Sequence, residues 1–327
     1  MTHLRYGASG LSSRFGSALL AALCFSFVAN AQDELRAYRQ VAYESGHGTL
    51  TVKKGPGDKY YALNRHDRCI WIFSSSGSTT GRISSIGTES AGLLAPRDLA
   101  VDREGNTIVA DASDIKVFAP NGQFSNSFPF NRPQNVGVLS DGRILVSGFP
   151  TEYLMSVFDR QGRPVGGIGI PAKVDNQHFF NAVLNMGAIV VDDDDNIFYV
   201  FRYMLTPTIR KYKPDGTLIA EWNLTDGPEL VRVMERAKIR YQENKKINNF
   251  GGVSILTAAA FDRDTKTLWV ATGRQLAELD SSGRQIRTTM LLRPDGGPLS
   301  ADGIIPAGDV IRISSELHGV FEYPKPR

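Results

Sequence analysis

The feature that most constrains the fold is a short pattern of strands and turns that recurs along the chain. Its clearest copy lies in residues 96–122, with the sequence PRDLAVDREGNTIVADASDIKVFAPNG. Three apolar runs (LAVD, TIVA and IKVF) are separated by turn residues, including glycine and asparagine, which adopt the positive φ that such turns need. Because this spacing leaves no room for helices, the segment predicts an antiparallel meander. One small sheet is not stable alone, so further copies are expected.

The third strand of this pattern and its turn recur six times. The aromatic or leucine position of each copy is occupied by Phe73, Phe118, Phe158, Tyr212, Leu279 and Tyr323. Successive copies are separated by 45, 40, 54, 67 and 44 residues. Six units of about 45 residues, each with about four short strands, predict an all-β chain folded as a six-bladed β-propeller of four-stranded antiparallel blades.

A propeller is stable only as a closed ring, because each blade buries its face against the next. The third strand of unit six lies close to the last residue of the sequence, Arg327. We therefore expect a strand from the N-terminal side, within residues 43–52, to complete the last blade.

The two longest steps between copies mark insertions. Extra residues lie at about 168–186, between units three and four, and at about 225–253, between units four and five. Both follow a fourth strand and precede the next first strand. In a propeller these crossings share one face with the loops between second and third strands, so the insertions should cover one sector of that face.

The second insertion predicts a helix between blades four and five. Its apolar residues fall at helical spacing on one side, namely Leu230, Met234, Ala237 and Tyr241. Ile239 falls on the opposite side, Pro228 suits a first turn, and Asp226 is a candidate N-cap. Two interpretations remain open: a plug that only covers the outer rim, or a lid over a binding site.

The N-terminal residues 1–31 have the pattern of a secretory signal peptide. Arg5 and Arg14 precede the apolar run ALLAALCF, and the small residues Ala29 and Ala31 frame a cleavage site. A membrane anchor is the alternative, but the run is well short of the roughly 20 apolar residues that a span needs. We therefore predict a mature propeller of residues 32–327, secreted or periplasmic, without an integral membrane segment after signal cleavage.

Charge and cysteine content exclude several classes of function. Without residues 1–31 the 37 basic residues become 35, against 34 acidic residues, so the mature chain is nearly neutral. That balance does not suit a nucleic-acid-binding protein. Cys69 then remains alone, which rules out an intrachain disulfide and a cysteine metal cluster. Its context, RCIW, is typical of a small buried residue.

The unit P-x-x-L-A-V-D-x-x-G-N-x-x-V-A-D…I-x-V-F-x-x-x-G resembles the NHL-repeat family of six-bladed propellers. The resemblance is specific for fold and weak for function, because such propellers include binding scaffolds, sensor domains and a few lyases and lactonases. The lactonase-like relatives hold calcium in the central channel with oxygen ligands at the starts of the innermost strands. The corresponding positions here are Arg97, Gln134, Gly187, Thr257 and Asp302.

A metal cofactor is not supported at those positions. Asp302 alone matches such a calcium ligand, although Asp98 and Asn135 lie one residue away. The lyase relatives use zinc-binding histidines instead. His66, His178 and His318 could lie on the predicted rim and converge on zinc, but their sequence contexts do not repeat. We therefore predict no cofactor, with calcium or zinc as the open alternative.

Arginine and aromatic residues mark the predicted binding face. The candidate ligand-binding residues at the channel mouth and rim are Arg65, Arg97, Gln134, Asn135, Arg202, Tyr203, Arg274 and Asp302. Arginine forks beside aromatic rings suit carboxylate-bearing or peptide ligands. The alternative is that the arginines bond strand-end carbonyls and nearby acids. The run Asp192–Asp195 is interpreted as a solvated hairpin turn on the opposite face, not as a metal site.

These observations favour an exported, non-catalytic propeller that binds a protein, a peptide or a small anionic ligand at its loop-rich face. No G-x-S-x-G elbow, H-E-x-x-H pair or phosphate-binding loop is present. The alternative function is a metal-dependent hydrolase, lactonase or lyase that acts in the central channel.

Overall fold

The structure is a computed structural model that describes residues 33–41, 49–84, 91–149, 152–249 and 251–326. The predicted signal peptide and most of the predicted closing segment 43–52 lie outside the described residues. Twenty-five strands and two helices are described, and the strands form six sheets. Within each four-stranded sheet the pairing is antiparallel, so the predicted fold class is confirmed.

The six blades follow one another along the chain. Blade 1 contains β3 (Thr49–Lys54), β4 (Lys59–Asn64), β5 (Cys69–Ser74) and β6 (Thr79–Ser84). Blade 2 contains β7 (Asp98–Val101), β8 (Thr107–Asp111), β9 (Asp114–Phe118) and β10 (Phe124–Pro129). Blade 3 contains β11 (Asn135–Val138), β12 (Ile144–Ser147), β13 (Met155–Phe158) and β14 (Pro164–Ile168).

The remaining blades have the same order. Blade 4 contains β15 (Gly187–Val191), β16 (Ile197–Phe201), β17 (Thr208–Tyr212) and β18 (Leu218–Asn223). Blade 5 contains β19 (Ala258–Asp262), β20 (Thr267–Thr272), β21 (Gln275–Leu279) and β22 (Gln285–Leu292), and β1 (Asp33–Arg36) pairs in parallel with β22. Blade 6 contains β23 (Gly303–Ala307), β24 (Val310–Ser315), β25 (Gly319–Pro324) and β2 (Arg39–Gln40).

The first strands of neighbouring blades pack against each other around the whole ring, including β23 against β3. They therefore line a central channel. Six apolar clusters lie between successive blades, one at each interface. The residues at the repeated aromatic position are all buried in the third strands, as the repeat predicts: Phe73, Phe118, Phe158, Tyr212, Leu279 and Tyr323.

The strand that closes the ring differs from the predicted one. β2 (Arg39–Gln40) pairs antiparallel with β25 and supplies the outermost strand of blade 6. Of the segment 43–52, residues 43–48 lie outside the described residues, and residues 49–52 belong to β3, the innermost strand of blade 1. The prediction that the N-terminal side supplies the closing strand is confirmed, but the segment given for it was wrong, because a strand of two residues has no periodicity that a sequence could show.

Two helices occupy the insertions. α1 (His178–Leu184) lies between β14 and β15, and α2 (Pro228–Lys246) lies between β18 and β19. Leu230 and Ala237 of α2 are buried and Ile239 is exposed, so the predicted amphipathic helix is confirmed. Its N-cap is Gly227, not Asp226, and makes no side-chain capping hydrogen bond. Among the described residues, no helix is both long enough and apolar enough to cross a membrane.

The four consecutive aspartates form the turn between β15 and β16, as predicted, but they are not simply solvated. Asp192 is buried and accepts hydrogen bonds from the backbone and side chain of Asn196. Asp193 forms ion pairs with Arg263 and Lys266 of blade 5. The turn therefore links neighbouring blades, a contact that the run of like charges gave no reason to expect.

Candidate functional site

The starts of the innermost strands meet at a small cavity on the face that carries both insertions. We call this cavity, of about 40 Å³, the channel mouth. Its charged and amide-bearing lining residues are Lys53, Arg97, Asp98, Asn135, Arg202 and Asp302. Thr51 and Thr257 add hydroxyl groups to the wall.

The backbone places equivalent residues of several blades at this mouth. The N–H groups of Arg97, Thr257 and Asp302 each donate to a carbonyl at the end of the second strand of their own blade, at 2.8–2.9 Å. Gln134 makes the same backbone bond in blade 3. Arg202 is positioned at the mouth in a different way. It follows the second strand of blade 4, and its side chain extends to blade 5. The sequence repeat therefore predicts the positions of the residues before the first strands, whereas the position of Arg202 depends on the turn after β16.

The two arginines of the mouth keep unused donors. Arg202 Nη2 donates to the carbonyl oxygen of Thr257 at 3.2 Å. The Nε atoms of Arg97 and Arg202 are both buried, and neither has a hydrogen-bond partner in the described part of the chain. Buried donors are normally satisfied, and those that are not call for an explanation such as a ligand, an ion or a water molecule.

The two carboxyl groups of the mouth accept hydrogen bonds from backbone N–H groups. Asp98 accepts the N–H of Val136 at 3.2 Å, and Asp302 accepts the N–H of Glu316 at 2.7 Å. Burial raises the pKa of Asp98 above its ordinary value. Burial also raises the pKa of Asp302, and the nearby Glu316 carboxylate adds to this shift. Since burial disfavours the ionised form of both acids, the mouth favours an added anion over an added cation.

Lys53 completes the charges at the mouth. Its ammonium nitrogen lies 4.0 Å from Asp98, and its side chain is about one-third exposed. Sequence reasoning missed this residue because it belongs to the first strand of blade 1, where the repeat is least regular. The signal was nevertheless present, since a lysine stands where the other first strands carry small or branched apolar residues.

The donor set does not fit a metal ion. Among the described residues, no group of three histidine, cysteine, aspartate or glutamate side chains could hold one. The amide nitrogen of Asn135 donates to the carbonyl of Gly187 at 3.1 Å. Lys53, Arg97 and Arg202 place three cationic groups in the same small cavity. A divalent cation needs several oxygen ligands and would be repelled by these groups.

The candidate histidines do not converge at the mouth. His66 is exposed in the turn between β4 and β5, and His318 lies in the turn between β24 and β25. His178 begins α1, and its ring packs edge-on against Phe149 with centroids 6.3 Å apart. None of the three lines the channel mouth.

Four of the eight candidate binding residues share the channel mouth, namely Arg97, Asn135, Arg202 and Asp302. Tyr203 is half-buried beside Arg202, and Arg65 is exposed in the turn after β4. Neither lines the mouth. Gln134 does not line the mouth either, and its amide nitrogen lies 3.4 Å from the carbonyl oxygen of Arg132.

Arg274 forms an ion pair with the insertion helix α2. Its guanidinium lies 3.4 Å from Glu229, a buried residue in the first turn of α2. Arg232 also pairs with Glu229 at 2.7 Å, and these two arginines hold the pKa of the glutamate below its ordinary value. The alternative interpretation of the arginines, pairing with a nearby acid, therefore describes Arg274.

The two insertions contact each other, as their positions in the repeat predict. Asp175, before α1, pairs with Lys245 of α2 at 2.8 Å and accepts a hydrogen bond from the hydroxyl of Tyr241. The ring of Tyr241 also packs edge-on against Phe180 of α1. One sector of the loop-rich face is therefore built from both insertions, with Phe179 about half-exposed at its surface.

Comparisons with solved structures support the fold. Virginiamycin B lyase from Staphylococcus aureus superposes with a TM-score of 0.55 at 11% identity, covering 86% of this chain and 96% of that chain. A catalytically inactive variant of that lyase, solved with quinupristin, gives the same score and identity over 88% and 87%. A Bacteroides fragilis protein described as a candidate exported protein gives 0.56 at 9% identity over 88% and 94%.

No protein-family model matches the chain, and no curated protein matches it by sequence. The resemblance to the NHL-repeat family therefore stays a prediction. At identities of 9–11%, the similarity to these structures supports an inference about the fold and none about the activity. What these similarities support for this chain is the β-propeller fold.

Proposed function

We propose that the protein is a non-catalytic propeller that binds the carboxylate of a larger ligand, such as a peptide or protein chain end, at the channel mouth. The observation that carries this proposal is that Arg97 and Arg202 both line one small cavity and that each has a buried Nε donor without a hydrogen-bond partner in the described part of the chain. Guanidinium groups bind carboxylates strongly because their donors match the carboxylate oxygens in geometry and charge.

The size of the mouth decides which part of the ligand enters. A cavity needs about 10–15 Å³ to hold one water molecule, so a cavity of about 40 Å³ has room for a carboxylate group and not for a whole peptide. The rest of the ligand must lie on the loop-rich face. Phe179 of the first insertion and Phe149, which follows β12 and packs against it, offer the ligand aromatic surface there.

A peptide library displayed with free C-termini tests the proposal. Selected peptides are compared as free acids and as C-terminal amides by isothermal titration calorimetry. We expect the free acid to bind at least tenfold more tightly, and Arg202→Gln to remove that difference. Arg236→Gln is the matched control, because it removes an exposed arginine from α2 on the same face. Equal affinity for acid and amide would refute the proposal.

The alternative function, a hydrolase, lactonase or lyase in the channel, requires a general base or a metal. Asp302 is the one partly accessible carboxyl of the mouth, and burial raises its pKa toward the range of a base. Turnover that is abolished by Asp302→Asn would favour this alternative. Turnover lost on chelation would do the same for its metal-dependent form.

We also propose that the protein is exported and works outside the cytoplasm. The N-terminal pattern of residues 1–31 and the description of the Bacteroides fragilis neighbour support this proposal. N-terminal sequencing of the protein from the culture medium or periplasm should start near residue 32. Detection of the full-length chain in the cytoplasm alone would contradict it.

A further inference from the structure

The opposite end of the central channel holds a much larger cavity. We call this cavity, of about 460 Å³, the vestibule. Its walls are the second halves of the first strands, and its rim is formed by the loops that follow them. The volume lies within the range of about 300–1,000 Å³ that is usual for small-molecule sites.

The walls of the vestibule are apolar in five of the six blades. Each of blades 2 to 6 contributes half-buried apolar side chains near the end of its first strand: Val101, Val138, Val191, Phe261 and Pro306. Blade 1 contributes Lys53 and Lys54 at the corresponding place. The vestibule therefore combines apolar strand walls with the two lysines of blade 1, and its rim carries charged residues of both signs, including Arg103 and Arg263.

Lys53 stands where the vestibule meets the channel mouth, because it lines both cavities. The nearest carboxyl is that of Asp98, at 4.0 Å, which is beyond hydrogen-bond distance. Burial raises the pKa of Asp98 above its ordinary value. An ammonium group that borders apolar walls, with its nearest carboxylate oxygen as far away as 4.0 Å, favours an anionic ligand.

Acidic residues at the vestibule rim are held by partners of their own. Asp102 accepts hydrogen bonds from the backbone and amide side chain of Asn106 at 2.7–2.8 Å. Asp262 pairs with Lys325 at 2.8 Å and is buried. These carboxylates stabilise their own loops. Of the basic residues that line the vestibule, Arg263 pairs with Asp193, Lys54 and Arg103 are exposed, and Lys53 lies at the inner end.

We propose that the vestibule is a second binding site, for an organic acid with an apolar body whose carboxylate reaches Lys53. The apolar body packs against the branched side chains of blades 2 to 6, and the acid enters from the face opposite the insertions. This site differs from the proposed carboxylate site in its entrance and in its apolar lining.

Octanoate is the probe, because it combines a carboxylate with an alkyl chain. Titration calorimetry should detect octanoate binding, with octan-1-ol and acetate binding at least tenfold more weakly. Lys53→Met should weaken octanoate binding at least tenfold. Lys59→Met, which removes an exposed lysine of the same blade outside the vestibule lining, should leave it unchanged.

A second variant probes the apolar wall. Val138→Phe adds volume from a half-buried position, so it should weaken octanoate binding more than butanoate binding. A change in chain-length preference cannot arise from misfolding alone, since misfolding would weaken both acids alike. Circular dichroism and a cooperative unfolding transition confirm that each variant folds.

The two proposed sites can be separated with the double variant Arg97→Gln/Arg202→Gln. Octanoate binding that persists in this variant, with loss in Lys53→Met, supports the vestibule site whatever becomes of the channel-mouth proposal. Octanoate binding that disappears in the double variant and persists in Lys53→Met would overturn the vestibule site. Equal binding of octanoate and octan-1-ol would overturn it as well.

Discussion

Replacing Glu322 with alanine should destabilise the closure of the ring more than any surface change. Glu322 and Arg312 are almost completely buried, and their charged atoms lie 2.6 Å apart. Arg39 of the closing strand β2 pairs with the same carboxylate at 2.9 Å. Tyr38 donates a hydrogen bond to it. One glutamate therefore joins the N-terminal strand to the last blade.

The expected cost follows from what remains after the change. Without Glu322, Arg312 stays buried without a counter-ion, and breaking a buried pair in this way costs about 3–5 kcal/mol. Single-domain proteins have total stabilities of about 5–15 kcal/mol, so this loss is a large fraction. With a urea m-value of about 3 kcal/mol per molar, the unfolding midpoint should fall by about 1–2 M.

Urea unfolding followed by tryptophan fluorescence measures this shift. The control is Glu104→Ala, because Glu104 and Arg160 form an exposed pair at 2.8 Å whose loss should leave the midpoint unchanged. Changing Arg312 and Glu322 together to methionine should cost less than Glu322→Ala, since no buried charge is left alone. Equal midpoints for Glu322→Ala and Glu104→Ala would refute this account of ring closure.

Three further predictions concern single charged groups. Lys116→Met should lower the free energy of unfolding by about 3–5 kcal/mol, because it leaves Asp111 buried without its 2.9 Å partner; an unchanged urea midpoint would contradict this. Burial alone would raise the pKa of Asp175, but the hydrogen bond from Lys245 holds it below its ordinary value of 3.8. The contact is therefore intact above that value and lost as the pH falls, so the protection of α2 amides from hydrogen exchange, relative to unfolded peptides at the same pH, should decrease at low pH, and Asp175→Asn should decrease it already at neutral pH. Because burial raises the pKa of Asp302, protonation should begin above its usual range and remove a negative charge from the mouth. Affinity for a peptide carboxylate should then rise as the pH falls and Asp302 becomes protonated, and Asp302→Asn should reduce this dependence.

The repeat predicts the blades because each blade is a local structure. The strands of one unit are joined by short turns, so turn residues and buried positions such as Phe118 are visible in about 45 consecutive residues. Gly122, which has φ of 81°, shows why a glycine stands at the end of that unit. Closure is a contact between the two ends of the chain. No local pattern could identify the two-residue strand β2 (Arg39–Gln40) as the one that makes it.

The candidate site could be predicted where it depends on strand register. Arg97 and Asp302 occupy equivalent positions at the starts of first strands, and the repeat places both at the channel mouth. Arg274 has the same kind of sequence context, but its partner Glu229 comes from an insertion that the repeat does not position. Lys53 was missed because its importance depends on the five apolar strands around it.

The measurement that tests the central claim most directly is a double-mutant cycle between Arg202 and the ligand carboxylate. Calorimetry gives the binding free energies of a selected peptide, as free acid and as amide, to the wild-type protein and to Arg202→Gln. Hydrogen bonds to charged groups contribute about 1.5–3 kcal/mol, so the account predicts a coupling free energy of at least about 1.5 kcal/mol. A coupling near zero, with both peptides still bound, would show that the mouth does not hold the carboxylate.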